Sequence, residues 1–376
     1  MVFVSRTKLQ GRSNTGPLEY NILTINVWST QGMHILGILN GDMTQQYDFV
    51  AIGDMVVDAF IQLSEDHATV SKNLDTGRKT LEMNFGDKLP YEDVTVINAV
   101  GNSPNAAVSA HRLGLHTALI TNVGHDRYGT DCMEALRTEG VHTEYVKVHE
   151  GKKTNYHYVL RYGPERTILI NHEKYPYMLP DFAVPPRFIY FSSIGEHGID
   201  YHFEIAAYIK ANPDTKLVFQ PGTYQIHLGA EKLKELYEVT EIFFCNKEEA
   251  QQILGSTEQD VPTLIRAFKE LGPKMPVITD GPDGAFVVDE DNQAWHMPMY
   301  PDPAPPVDRT GAGDSFSSTF TTAIALGMTP AEALSWGPIN SMSVVQHIGA
   351  QKGLLTREAL LEFMADAPEE YKANKI

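Results

Sequence analysis

The sequence predicts an α/β fold: a mostly parallel central sheet with helices on both faces, three layers in all, and a small separate β-sheet. Two observations carry this prediction. From about Tyr47 onward, short β-type runs alternate with segments of helical period, which is the pattern of βαβ units. Residues 55–63 and 79–98 are β-like with no helix between them, and residues 154–171, TNYHYVLRYGPERTILIN, read as a hairpin turning at Gly163-Pro164. Parallel strands of one sheet need crossovers, so these segments belong to a side sheet.

The elements follow in order. The first forty-odd residues have no clear period and no secretory pattern. Met43 stands just before TQQYDFVAIGD, where the regular pattern begins. Residues 1–42 are expected to be an extension from an upstream start codon, with residues 1–46 outside the fold and 47–376 forming one domain. YDFVAIG is a strand ending at Gly53. SPNAAVSAHRLG is a helix with Ser103 as cap, Pro104 in the first turn and Gly114 at its end. HTALIT is the next strand and GTDCMEALRTEG the next helix; RFIYFSS, TKLVFQ, EIFFCN, MPVITD and GAFVVD are later strands. Helices are predicted over 200–211, 230–238, 247–254 and 261–271, and again over 314–327, 330–346 and 356–365. In such folds ligands bind beyond the carboxyl ends of the strands.

Composition narrows the function. The chain has 376 residues, is 42% hydrophobic and carries a formal charge of −18. No Lys/Arg cluster offers a basic face, so nucleic acid is an unexpected partner. An anionic ligand would need backbone N–H groups or a metal. The two cysteines, Cys132 and Cys245, form no CxxC pair, which fits a reducing, cytoplasmic setting. Cys245 lies in an apolar run and reads as a buried strand thiol. Apolar stretches stop well short of ~20 residues, so no membrane span is expected. The fourteen histidines show no metal-ligand spacing such as HExxH.

One stretch points to chemistry: VDRTGAGDSF, residues 307–316. Helix N-termini carry unpaired N–H groups and partial positive charge, and a Gly/Ala loop lets them approach an anion closely. Phe316, Phe320, Ala323 and Ile324 give the following helix a buried stripe. Asp314 is then either a capping carboxylate or a general base beside an anion hole, a combination suited to phosphoryl transfer. GxxxxGK[ST] is absent, and GDMVVD after the first strand lacks the GxGxxG spacing.

DRTGAGDSF resembles the C-terminal signature of the ribokinase, or PfkB, family of carbohydrate kinases. GNSPNAAVSAHRLG (101–114), AIGDMVVD (51–58), NKEEA (246–250), ITDGPDGAFV (278–287) and GPINSMSVVQHIGAQKGL (337–354) resemble further family segments in the same order. The likeness runs from about Tyr47 to the C-terminus. It implies a three-layer α-β-α, ribokinase-like (Rossmann-like) fold with a small β-sheet lid over the sugar site. A lid would exclude the water that competes for a phosphoryl group.

The resemblance also implies roles. Asp314 would be the base, with the N–H groups of Gly311, Ala312 and Gly313 as anion hole. Asp58, Gly101, Asn102 and Asn105 would bind the acceptor, and Arg166 would reach over it from the lid hairpin. The family commonly has two glycines where this chain has Gly101-Asn102, and ribokinase itself a lysine where Ser103 stands. Asn246 and Glu249 would act around Mg²⁺, mostly through water; they equally form a capping box. Thr279, Gly281, Gly284 and Asn340 would contact ATP. Asp308 and Thr310, with loop 346–352, would form a monovalent-cation site, taken as K⁺. Arg309 pairs either with phosphate or with an acidic neighbour. The implied partners are a small sugar or nucleoside and a second copy through the lid. The expected activity is ATP-dependent phosphorylation of a sugar hydroxyl. A nucleoside acceptor, with Tyr156, Tyr158, Tyr162 and Phe85 around its base, is the alternative; a sugar-binding regulator without catalysis is the third reading.

Overall fold

The structure is a computed structural model that describes residues 2–13, 16–29, 32–40, 46–73, 77, 79–163 and 165–376. The expected turn residue Pro164, and Met43, lie outside these. The chain divides into two units, residues 1–46 with 181–185, and residues 47–180 with 186–376. In the first, the strands Val2–Ser13, Gly16–Ser29 and Gly32–Asn40 form an antiparallel sheet, where the sequence showed no period.

The second unit is built on a ten-stranded sheet. Its spatial order is Val146–His149, Thr117–Gly124, Phe49–Ile52, Phe188–Phe191, Lys216–Phe219, Thr240–Asn246, Met275–Thr279, Ala285–Val288, Ala294–Met297 and Asn374–Lys375. The pairings are parallel as far as Met275–Thr279 and antiparallel beyond it. The order of the first strands reverses around Phe49–Ile52, the kind of switch that opens a crevice at the strand ends. Thr117–Gly124, Phe49–Ile52 and Phe188–Phe191 are buried along their whole length, as sheets covered on both faces require. Phe191 stacks on Phe219 at 5.6 Å and Phe243 on Phe268 at 4.7 Å, and each such ring contributes roughly 1.5–3 kcal/mol by leaving water.

A side sheet has the order Glu165–Leu169, Asn155–Tyr162, Val56–Leu63, Tyr91–Val100. Its outer pairs are antiparallel and the central one is parallel. The expectation of one β stretch over 79–98 is corrected here. Lys79–Glu82 pairs with Thr69–Lys72 in a ribbon of its own, and the side-sheet strand begins only at Tyr91.

The helix Ala312–Ala325 departs from the single buried stripe that the sequence suggested. Nearly every residue from Asp314 to Ala325 is buried, six Ser and Thr residues included. Five of their hydroxyls donate to the preceding turn, among them Ser318 Oγ to Asp314 C=O at 2.6 Å, Thr321 Oγ1 to Ser317 C=O at 2.7 Å and Thr322 Oγ1 to Ser318 C=O at 2.8 Å, and Thr319 Oγ1 accepts from Asn340. Polar on paper and buried in fact, this helix packs between the helices Asn102–Arg112 and Pro330–Val345. It is a fixed platform for whatever its first turn carries. No helix among the described residues is long and apolar enough to cross a membrane.

Candidate active site

The first turn of that helix carries Asp314, 8% exposed. Gly311 is its N-cap, with φ 82°, a left-handed conformation that favours glycine. A Cβ there would also meet Ala350 Cα at 2.7 Å. The first intrahelical bond is Ser315 N–H to Gly311 C=O at 2.9 Å. The N–H groups of Gly313 and Asp314 therefore precede the ladder and have no partner within the helix.

Three side-chain amides converge on the Asp314 carboxylate. Asn102 Nδ2 donates to Oδ1 at 2.8 Å, Asn105 Nδ2 to Oδ2 at 2.9 Å and Gln220 Nε2 to Oδ1 at 3.2 Å. Burial raises the Asp314 pKa above the usual carboxylate value, while the amides of Asn105, Asn102 and Gln220 oppose that rise. Gln220 is oriented from behind, since its Oε1 accepts from the Tyr190 hydroxyl and from Ser317 Oγ. Sequence reasoning missed Gln220. The available signal was its place one residue beyond a strand's carboxyl end.

Asn102 and Asn105 reach Asp314 because of a tight turn. Gly101 is the N-cap of their helix, with φ 121°, and a Cβ on it would meet Asp54 C=O at 2.7 Å. Ser103, expected as the cap, lies inside the helix instead. Its hydroxyl donates to Ile52 C=O at 2.5 Å and pairs with Ser192 Oγ.

Asp58, on the side sheet, is 9% exposed, and its Oδ1 has no hydrogen-bond partner. His157 faces it across the parallel pair. Successive side chains on a strand alternate between faces, so Tyr156, Tyr158 and Tyr162 lie on the face opposite His157. Tyr156 packs on Tyr128 at 4.8 Å and on Tyr158 at 5.2 Å. Phe85 is fully exposed. The aromatic side chains considered for a base are thus not gathered beside Asp58.

On the other side of Asp314 lies a cavity of about 420 Å³. Thr279, Gly281, Gly284, Arg309, Ala312 and Gly313 line it, and Met299, Pro338, Met342 and Val345 supply apolar walls. Its size and its mix of apolar wall and polar floor suit a nucleotide. Arg309 and Asp302 share the lining; burial raises the Asp302 pKa and Arg309 lowers it.

Asn340 does not join this cavity. It is fully buried, its Nδ2 donates to Thr319 Oγ1 at 2.8 Å, and its Oδ1 accepts Leu355 N–H at 2.9 Å. Its amide fixes a helix to the following loop; its neighbour Ser341 faces the cavity. Asn246 and Glu249 form the full reciprocal capping box, at 2.8 and 2.9 Å. Burial raises the Glu249 pKa, with Asp314 adding to the rise and the Asn246 N–H opposing it. The box uses one oxygen of each side chain, so both keep a polar atom for the hydration shell of a divalent ion.

Arg166 and Asp308, expected in different roles, are brought together. Asp308 Oδ1 accepts Thr310 N–H at 3.0 Å and Thr310 Oγ1 at 2.7 Å, and its Oδ2 accepts Gly349 N–H at 3.0 Å. The Arg166 guanidinium lies 3.8 Å from the same carboxylate. Arg166 thus lies beside the Asp308–Thr310 cluster. Cys132 and Cys245 are buried thiols, Cys132 pushed by burial up to about 12.

Comparison with known proteins gives this geometry its context. Residues 70–357 match the model of the pfkB family carbohydrate kinases. The chain is 25% identical to the ATP-dependent 6-phosphofructokinase of Thermoanaerobacterium thermosaccharolyticum, over 81% of this chain and 90% of that one. It is 25% identical to the nucleoside kinase of Methanothermobacter thermautotrophicus, over 86% and 97%. The fold matches that of Arabidopsis thaliana ribokinase, solved with ribose and ATP, with a TM-score of 0.71 at 20% identity, covering 85% of this chain and 99% of the other.

Proposed function

Because the chain belongs to the pfkB family of carbohydrate kinases, we propose that it is an ATP-dependent sugar kinase with Asp314 as its base. The observation that carries this reading is the position of one short loop. Ala312 and Gly313 line the nucleotide-sized cavity, while the adjoining Asp314 is held by Asn102 and Asn105 from the first turn of the helix Asn102–Arg112. Donor and acceptor thus meet at one helix N-terminus.

In this reading Asp58 accepts hydrogen bonds from sugar hydroxyls, with Gly101, Asn102 and Asn105 beside it. Asp314 accepts the proton of the attacking hydroxyl as its oxygen bonds to the γ-phosphorus and the bond to the β-phosphate oxygen breaks. The N–H groups of Gly311, Ala312 and Gly313 stabilise the charge on the transferred group. Burial suits Asp314 to the task, because a raised pKa makes a stronger base. Thr279, Gly281 and Gly284 hold the nucleotide. Asn246 and Glu249 would hold Mg²⁺ through water, and the ion would neutralise triphosphate charge. Asp308 and Thr310, with loop 346–352, would hold a monovalent cation, with Arg166 3.8 Å from the same carboxylate. Residues 47–376 are taken as the kinase domain, with residues 1–46 outside it and the side sheet as lid. The lid's outer face exposes Val94, Val96, Tyr158 and Leu169, which supports pairing with a second copy; sedimentation tests that.

The deciding experiment follows ADP release with D-ribose, D-fructose, fructose 6-phosphate and adenosine. Turnover with a sugar is expected. Turnover with adenosine alone would replace this reading by a nucleoside kinase. Saturable sugar binding with no turnover would make the protein a binding regulator.

A further inference from the structure

Beside Asp58, a chain of side chains crosses from the side sheet to the main sheet. His157 Nδ1 lies 3.3 Å from Asp58 Oδ1, at ion-pair distance but outside hydrogen-bond geometry. His157 Nε2 lies 3.0 Å from His172 Nε2, the two rings stacked at 5.0 Å. His172 Nδ1 lies 3.0 Å from Asp54 Oδ2. Tyr177 donates its O–H to the same carboxylate at 2.9 Å and accepts Gly195 N–H at 2.8 Å. The side chains of Asp58 and His157 are each 12% exposed, that of His172 18% and that of Asp54 5%.

A carboxylate oxygen offers lone pairs only, so His172 Nδ1 donates a hydrogen to Asp54 Oδ2. Two ring nitrogens 3.0 Å apart need one hydrogen between them, since two lone pairs repel and two N–H groups clash. Two neutral rings supply the hydrogens for these two bonds; a third, on His157 Nδ1 and facing Asp58 across 3.3 Å, would give the pair one positive charge between two carboxylates.

We propose that His157 Nδ1 carries that third hydrogen, so that His157 and His172 are a singly charged, shared-proton positioning pair for the acceptor site. They hold Asp58 ionised and aimed, and they tie it through Asp54 to the turn that places Asn102 and Asn105. The pair's charge offsets the cost of burying Asp58 as an anion. Because His157 sits off the hydrogen-bond direction, Asp58 keeps its accepting capacity for the acceptor's hydroxyls. Asp54 completes the tie, since its own C=O packs against the Cβ-less face of Gly101. This inference rests on the reading that Asp58 binds the acceptor, and its test separates the two.

The test has two arms. In protein labelled with ¹⁵N-histidine, both Nδ1 atoms of the pair should appear protonated, with one strongly downfield proton shared by the Nε2 atoms. Two neutral rings, or separate Nε2 protons, would overturn the proposal with or without a known acceptor. In the kinetic arm, His172→Phe keeps a stacking ring and removes both nitrogens. With the best acceptor of the panel above, its acceptor KM should rise about tenfold, the effect of one charge-assisted contact, while kcat and the KM for ATP stay within about twofold. An unchanged acceptor KM, or an equal loss in kcat, would overturn it. Asp58→Asn separates the failures. If that variant leaves the acceptor KM unchanged, the role of Asp58 falls; if it raises KM while His172→Phe does not, only the pair falls. Should His172→Phe not fold, the nitrogen shifts of the unaltered protein decide alone.

Discussion

The two flanks of Asp314 are built in opposite ways. In the proposed reading, the anion-hole side is a continuous loop, Gly311 to Asp314, set on a helix buried on all sides, and the acceptor side is assembled from residues far apart in the chain: Asp54, Asp58, Asn102, Asn105, His157, His172 and Gln220. The first is stiff because its geometry is local and its platform cannot shift. The second is precise only if the side sheet and the main sheet keep their register. Damage to the loop should therefore strike the chemical step, and damage to the assembled flank should strike acceptor affinity and the ionisation of Asp314.

Asp314→Asn offers the largest effect by which this contrast can break. It keeps the size of the side chain and removes the base. Turnover should fall by about 10²–10⁴, with the KM for ATP within about threefold. A kcat near that of the unaltered protein would remove Asp314 from the chemistry and leave it a capping carboxylate.

How much of each flank the sequence revealed follows the same division. The loop was legible because its signal is contiguous: small residues, a carboxylate and the start of a helix. Most strands and helices were legible for the same local reason. The helices Lys247–Leu254 and Val261–Leu271 begin and end where their predicted ranges place them. Ser103 failed as a cap because Gly101 reaches a φ that a side chain resists, which moves the helix start two residues earlier. His157 and His172 were invisible because nothing in their spacing shows that two strands are parallel neighbours. Gln220 was hidden in the same way, since its purpose depends on a tyrosine one strand over. Asn340 misled for the opposite reason. Its position in a helix was right, but which face met the cavity depended on how that helix packs, and Ser341 took the face.

Gly311→Ala tests the rigidity of the loop. The substitution must adopt a φ of 82° and push against Ala350 Cα. It should lower kcat by about 10–100-fold through a displaced anion hole and cost about 1–3 kcal/mol of stability. Chemical denaturation read alongside turnover separates the two effects. If stability falls while kcat per folded molecule holds, the loop's amides play no part in the transition state.

Asn340→Ala sharpens the contrast from outside the cavity. It leaves Leu355 N–H and the Thr319 hydroxyl without their partner in the core, a loss of about 1–3 kcal/mol. The KM for ATP should stay within about twofold. A tenfold rise in that KM with stability unchanged would return Asn340 to the nucleotide site.

Gln220→Leu is the smallest and most diagnostic change. Burial already raises the Asp314 pKa, and the Gln220 amide is one of three groups opposing that rise. Removing it destabilises the anion, so the pKa moves up further. The base must be ionised to work, so activity is present above that pKa and lost as pH falls through it. The acid limb of the kcat/KM profile should therefore begin at higher pH in the variant. On the high-pH plateau, where Asp314 is ionised in both proteins, kcat should differ by less than about threefold. The direction matters more than the size. A limb that moves to lower pH would mean that Gln220 does not stabilise the carboxylate. A limb that stays in place while the plateau falls would mean that the amide holds geometry alone, and the acceptor flank would then act on Asp314 by position and not by charge.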